Sequence, residues 1–179
     1  MKSKNELLKL TLAALFMALA FVLPFLTGQI QKIGSMLCPM HVPIILCGFI
    51  CGWRWGLTVG LTAPLLRSLT LGMPPLFPIA ICMAFELAAY GAVAGLMHKY
   101  LPRKKPFVYC SLITAMIVGR LVWGAAMFVC LGIRGGRFTF AAFLSGAVLN
   151  AIPGIVVQIV LLPILVMILE HFSLQRQKG

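Results

Sequence analysis

The stretch FPIAICMAFELAAYGAVAGLM, residues 77–97, decides the class of fold, because it holds a single charged side chain, Glu86. A helix rises about 1.5 Å per residue, so an apolar run of this length matches the hydrocarbon core of a bilayer. Of the 179 residues, 61% are apolar and 10% are charged, whereas soluble domains carry about 25% charged residues. The apolar runs are continuous rather than alternating, which predicts helices rather than a barrel. The sequence therefore predicts an all-α integral membrane protein.

The apolar runs predict six transmembrane helices in a single domain, residues 1–179. Their expected bounds are 7–27, 41–52, 56–71, 77–97, 107–131 and 140–172. Residues 53–55, Trp-Arg-Trp, are predicted to form an interfacial turn, and the prolines within residues 73–78 are predicted to break the chain. The second and third helices are short enough for a re-entrant pair. The sixth is too long for one straight span, so Pro153 and Pro163 are expected to kink it, or its start to lie in the interface.

Lysine and arginine predict the orientation, because they concentrate on the cytoplasmic side of membrane proteins. With the N-terminus inside, ten lie on the cytoplasmic side, four lie outside, and Arg120 lies within a span. Both termini are therefore predicted to be cytoplasmic, and the net charge of +12 is attributed to topology rather than to nucleic-acid binding. The cytoplasmic set is Lys2, Lys4, Lys9, Arg54, Lys99, Arg103, Lys104, Lys105, Arg176 and Lys178, and the outer set is Lys32, Arg67, Arg134 and Arg137.

Three polar residues fall inside apolar runs at one expected depth, about 15–17 Å below the outer surface. They are Glu86, Arg120 and Asn150, on the fourth, fifth and sixth predicted helices. An ionisable group at the bilayer centre costs at least about 2.5–3.5 kcal/mol on insertion scales, which makes it a functional candidate. One interpretation is a structural Glu86–Arg120 ion pair supported by Asn150. The other is a polar pocket for a small hydrophilic ligand, and an ion pair is compatible with it.

Three further residues are candidates for contact with a ligand. Trp123 lies one turn beyond Arg120 and is expected either to stack on the ligand or to pack at the interface. Arg67 is expected either to extend to the outer interface or to contact an anionic group. His41 opens the second helix and is expected to line the mouth of the pocket. The sequence carries no acid pair, phosphate-binding loop or zinc-ligand pattern, so it predicts no enzyme, metal site or cofactor.

Small residues recur four positions apart on several predicted helices. They let helix backbones approach closely in lipid, where apolar burial gives little drive for association. Internal packing is one interpretation for each pair, and docking to a partner membrane protein is the other. Ala14 and Ala18 are the preferred docking candidates, because the first helix is otherwise uniformly apolar. The other pairs are Gly48 with Gly52, Gly56 with Gly60, and Gly91 with Gly95.

These features together resemble the substrate-binding S components of energy-coupling factor transporters. The resemblance rests on the small basic six-helix chain, on the Ala14-xxx-Ala18 motif, and on MHVPIILCG (residues 40–48) followed by GLTVG (residues 56–60). The segments PLLRSL (residues 64–69) and GMP (residues 72–74) are similar to the micronutrient-type members. The resemblance covers nearly the whole chain.

The resemblance implies a division of labour in a prokaryotic cell membrane. This chain would capture a vitamin or precursor from outside, between helices 4 to 6 and the first outer loop. Ala14 and Ala18 would dock on a coupling membrane subunit, and two cytoplasmic ATPases would supply the energy. The cation of Arg120 suits an acid such as pantothenate. Pyridoxine-type vitamins, thiamine precursors and a deazapurine are alternative ligands.

Two other functions remain open from the sequence. In one, the chain is a stand-alone secondary transporter with Glu86 as its proton carrier. In the other, it is a membrane scaffold that binds only proteins, and the Glu86–Arg120 pair is structural.

Overall fold

The structure, a computed structural model, describes residues 2–26, 38–102, 105–136, 139–147 and 149–176. Within these ranges it contains helices and no strand, which agrees with the predicted all-α fold. A π-helical turn, Leu76–Ala80, leads into the fourth helix, and a 3-10 turn, Leu149–Ala151, leads into the seventh. The helices are α1 (Lys2–Leu26), α2 (His41–Cys51), α3 (Trp53–Leu71), α4 (Ile81–Tyr100), α5 (Lys105–Ile133), α6 (Phe140–Ala147) and α7 (Ile152–Arg176).

Four helical stretches of the described chain are long and apolar enough to cross a membrane. They are Glu6–Phe25, Leu76–Tyr100, Lys105–Ile133 and Ile152–Leu169. The helix α2 is apolar but has only 11 residues, and α3 does not reach the same apolarity. A multi-pass membrane protein follows from these lengths, while six complete spans and cytoplasmic termini stay predictions.

Two of the predicted boundaries are wrong. Residues 53–55 are not an interfacial turn but the first turn of α3, because Gly52, at φ 96°, reverses the chain between α2 and α3 by itself. The sixth predicted helix, residues 140–172, is divided into α6 and α7 by the turn Leu149–Ala151. Pro153 stands in the first turn of α7, where a missing N–H is tolerated, and Pro163 lies inside the helix.

The chain break predicted within residues 73–78 is confirmed. The helix α3 ends at Leu71. The next residue, Gly72, caps it by adopting the left-handed conformation at φ 68° and donating its N–H to the Ser68 carbonyl. A positive φ is favourable for glycine because it has no Cβ. The break returns the chain at one end of the helices, so that α4 runs back against α3.

The packing of α2 and α3 on α4 depends on glycines. A Cβ on Gly56 would lie 2.6 Å from the Gly91 carbonyl oxygen, and one on Gly95 would lie 2.5 Å from the Trp53 backbone nitrogen. Gly48 also meets Gly91, and Gly60 meets the backbone at Leu87. Such contacts are closer than any side chain permits, as expected for small residues at helix interfaces in lipid. The predicted packing role is thus confirmed for these five glycines, whereas Gly52 serves the turn and has no atom within 4 Å of its would-be Cβ.

The helix α2 is enclosed by its neighbours. It packs on α1, α3, α4 and α7, and Val42 and Ile50 are its only residues that are not fully buried. A helix that is apolar on all sides belongs in a core. The side chains of α2 therefore form the centre of the hydrophobic core.

The helix α1 is fastened to α3 at a proline. Pro24 lies inside α1 and has no N–H to donate to the preceding turn. The Arg67 guanidinium of α3 donates to the Phe21 carbonyl next to this disturbance and lies 5.0 Å from the centre of the Phe25 ring. Pro24 removes the hydrogen bond to the Ala20 carbonyl, so Arg67 fastens α1 to α3 beside the interrupted turn. Arg67 is only 4% exposed, so its guanidinium is enclosed between helices.

Gly91→Ala is expected to lower the free energy of unfolding by about 1–3 kcal/mol, the usual cost of overpacking. The reason is that the new Cβ would meet the Gly56 backbone, which cannot rotate away. Thermal unfolding in detergent micelles measures the effect. Gly132→Ala is the matched control, because Gly132 is also helical but has open space around its would-be Cβ. Equal melting temperatures for the two variants would refute the packing role of Gly91.

Candidate functional site

Glu86 lies near the middle of the span Leu76–Tyr100 and is only 2% exposed. The glycine contacts at Gly60 and Gly91 bring α3 and α2 against α4 around this point. The helix α5 covers another side of α4. A carboxylate placed there is removed from water, so it needs charged or hydrogen-bonding partners.

Arg120 of α5 is the cationic partner of Glu86. Its Nη1 lies 2.9 Å from Glu86 Oε1, and the side chain is 15% exposed. Glu86 Oε1 accepts no aligned hydrogen bond from this nitrogen, and Arg120 Nε has no hydrogen-bond partner. The ion pair therefore balances charge while part of the guanidinium fork stays unoccupied.

His41, the first residue of α2, approaches the same carboxylate oxygen. Its Nε2 lies 3.5 Å from Glu86 Oε1, and the imidazole is 3% exposed. Neither ring nitrogen has a hydrogen-bond partner. Because His41 is at the level of Glu86, α2 begins about half-way along the span that contains Glu86.

Cys38 and Tyr90 complete the site, although neither is among the residues predicted from the sequence. Arg120 Nη2 lies 3.7 Å from Cys38 Sγ as a hydrogen-bond donor. The Tyr90 ring meets His41 edge to face, with centroids 5.1 Å apart, and packs on Gly119. Tyr90 follows Glu86 by one helical turn, which is a signal that sequence reasoning can use. Nothing comparable marks Cys38 in the sequence, because it lies outside the helices, just before α2, with its backbone at φ 49°.

The other predicted site residues lie in different surroundings. Trp123 faces α6, where its ring is 6.4 Å from that of Phe143 and a Cβ on Gly146 would lie 2.7 Å from it. Asn150 lies in the turn Leu149–Ala151, and its side chain is outside the described residues. Arg67 contacts α1 through Phe21 and Phe25. The structure therefore brings together Glu86, Arg120 and His41, and it directs Arg67 elsewhere.

The predicted docking residues lie on the exposed side of α1. Ala14 and Ala18 are exposed, whereas Ala13, Phe16 and Ala20 are buried in the core. Large apolar side chains flank the two alanines on the exposed side, among them Leu15 and Val22. The two small residues thus make a shallow strip on an otherwise bulky surface.

An open apolar groove of about 290 Å³ lies between α5 and α6, separate from the Glu86 cluster. Its lining includes Gly124, Phe128, Phe140 and Phe143. Gly124 matters here because a Cβ would collide with the Phe143 ring. The groove holds no ionisable side chain, so it offers no charge to a hydrophilic ligand.

The chemistry of the central site is that of a polar cluster with unused hydrogen-bonding capacity. A buried polar atom without a partner costs about 1–3 kcal/mol, so such atoms are rare in folded proteins. The Tyr90 hydroxyl lies near the Arg120 guanidinium without an aligned hydrogen bond. No three His, Cys, Asp or Glu side chains of the described chain come together as metal ligands. The atoms of the cluster without an aligned hydrogen bond are His41 Nδ1, His41 Nε2, Glu86 Oε1, Tyr90 Oη and Arg120 Nε.

Comparison with known families assigns the class of protein. The family model described as "ECF transporter, substrate-specific component" matches residues 8–166. The chain therefore belongs to the substrate-specific components of energy-coupling factor transporters, the family that its sequence resembles. Members of this family are substrate-binding subunits of transport systems. No curated protein and no solved structure matches the chain.

Removing one partner of the buried pair is expected to destabilise the protein strongly, by about 3–5 kcal/mol, because the other charge is left uncompensated. Glu86→Ala and Arg120→Ala should each show this loss, and the double variant should lose much less than their sum. Thermal unfolding of the three variants completes the cycle. Glu6→Ala and Lys9→Ala form the control cycle, because that pair, 3.1 Å apart, is exposed and should couple weakly. Additive losses at Glu86 and Arg120 would contradict the pairing.

Proposed function

We propose that the chain is the high-affinity binding subunit for uptake of a vitamin or related micronutrient, with the ligand held by Glu86, Arg120 and His41. One observation carries the proposal: these buried side chains meet at one point and leave hydrogen-bonding atoms without partners. A purely structural ion pair would be more stable with those atoms satisfied. A small hydrophilic ligand would supply the missing partners.

Pantothenate is the ligand that we favour. Its carboxylate suits the planar fork of Arg120, which can hold two oxygens at once. Its hydroxyl and amide groups offer donors to Glu86 and partners to His41. Asn150 and Trp123 are proposed as further ligand contacts: Trp123 lies one turn from Arg120 on α5, and Asn150 follows α6, against which the Trp123 ring packs. Arg67 is the weakest of the proposed contacts, since its guanidinium is engaged with α1.

The proposed partners are a coupling membrane subunit and two cytoplasmic ATPases, in the cell membrane of a prokaryote. The strip formed by Ala14 and Ala18 supports docking on the coupling subunit, because small exposed residues allow close helix contact in lipid. The ATPases would act through that subunit.

Arg120→Lys is expected to weaken pantothenate binding about tenfold or more, because lysine keeps the charge but not the fork. Titration calorimetry of the purified chain in detergent measures the dissociation constant. Arg134→Lys is the matched control, since Arg134 is exposed and lies over the Phe77 ring. Native mass spectrometry of the wild-type chain first tests which ligand is retained. A pyridoxine-type vitamin, thiamine precursor or deazapurine found in place of pantothenate would contradict the choice of ligand.

Ala14→Trp combined with Ala18→Trp is expected to abolish uptake in cells while leaving ligand binding by the purified chain unchanged, because bulky rings keep a partner helix at a distance. Leu15→Trp is the control, as Leu15 is 54% exposed and already large. Unchanged uptake in the double variant would show that α1 does not dock by this strip. Uptake by the chain alone in liposomes under a pH gradient would favour a secondary transporter instead.

A further inference from the structure

The charge of the central site is already balanced before a ligand arrives. Arg120 contributes one positive charge and Glu86 one negative charge, 2.9 Å apart. Three other arginines with described side chains are engaged elsewhere: Arg54 with Trp53, Arg67 with Phe21 and Arg134 with Phe77. A carboxylate ligand placed at Arg120 would therefore add a negative charge that nothing in the cluster compensates.

That added charge would be costly in this environment. Two carboxylates that share one site repel each other, and one of them is then favoured in its protonated form or requires a further cation. Burial strengthens the effect, because water no longer screens the charges. Glu86 is 2% exposed, so solvent gives it little relief. A proton taken from solvent is the simplest compensation.

His41 is placed to hold this proton. Its Nε2 is 3.5 Å from Glu86 Oε1 and has no hydrogen-bond partner. A neutral imidazole can carry its single proton on either nitrogen, whereas the charged form carries one on both. Charging His41 would thus guarantee a donor that faces the carboxylate, and histidine is the side chain that gains charge readily near neutral pH.

The other charged or titratable groups around His41 do not replace it. On the side of α4 and α5, Tyr90 meets the imidazole edge to face, and Arg120 interacts with Glu86 and Cys38. The remaining helices packed on α2 are α1, α3 and α7. Among their described side chains, Lys9 pairs with Glu6, Arg54 lies over Trp53, and Arg67 contacts Phe21.

We infer that a carboxylate ligand enters this site together with one proton, which His41 takes up at Nε2 against Glu86. The inference rests on the proposed function and concerns how that same site is regulated. The proton comes from water, and no covalent bond of the ligand or protein is broken. Binding should therefore tighten as the pH falls, by about tenfold per unit wherever one proton is taken up with each ligand.

Calorimetric titration of pantothenate tests the inference directly. The same titration at one pH in phosphate and in Tris gives the number of protons bound from the difference in apparent enthalpy. We expect close to one proton per ligand. Pantothenol, in which a CH₂OH group replaces the carboxylate, should bind with no proton uptake and with an affinity that does not change with pH.

Two substitutions separate the roles of the acid and the imidazole. His41→Gln should abolish proton uptake and leave pantothenate binding weak at every pH. Glu86→Gln should also abolish proton uptake. Pantothenate should nevertheless bind this variant tightly at high pH, because Arg120 is then free for the ligand. Glu6→Gln, at an exposed acid, should behave like the wild type. Melting curves confirm that each variant is folded.

The outcomes distinguish this inference from the proposed function. Pantothenate binding with no proton uptake would overturn the inference and leave the ligand assignment intact. One proton taken up by His41→Gln would place the proton elsewhere and would also overturn it. Absence of pantothenate binding at any pH would reject the ligand and, with it, the proton coupling.

Discussion

The close approach of three helix backbones at Gly91 is the constraint on which the rest of the structure depends. Gly48 of α2 and Gly56 of α3 both meet the Gly91 carbonyl of α4. In lipid there is no hydrophobic drive to bring helices together, so association relies on packing at contacts like this one. The contact also sets the surroundings of Glu86. Glu86 lies just over one helical turn from Gly91 on α4, and His41, the first residue of α2, approaches its carboxylate.

The buried cluster around Glu86 is therefore a consequence of packing as much as of charge. Arg120 and His41 reach one carboxylate oxygen from two different helices. A buried ion pair contributes little to stability in net terms, since desolvation offsets the attraction. What the pair provides is a fixed arrangement of donors and acceptors inside an apolar fold. Under the proposed function, such a cluster would be selective, because a ligand must match both the charges of the cluster and its atoms without an aligned hydrogen bond.

The helix α1 has two sides with different surroundings. On the inner side, the Arg67 guanidinium meets the Phe21 carbonyl beside Pro24, and Phe16 and Ala20 are buried. On the outer side, Ala14 and Ala18 are exposed to the surroundings. Under the proposed function, a helix fixed to α3 by a buried cation could present its other side to a partner without disturbing the proposed ligand site. Ligand binding and docking would then use separate surfaces of one small domain.

The sequence by itself determined the membrane class, the all-helical fold and the family, and it pointed to Glu86, Arg120 and His41 as unusual residues. These conclusions depend on local properties: the length of apolar runs, the cost of a charge in lipid, and the spacing of small residues. Only the tertiary structure decided that the three side chains meet, that Arg67 turns to α1, and that Cys38 joins the site. Those results depend on how each helix is rotated and where it ends. Rotation follows from backbone contacts between residues distant in sequence, and a single-residue reversal such as Gly52 leaves no periodic pattern to read.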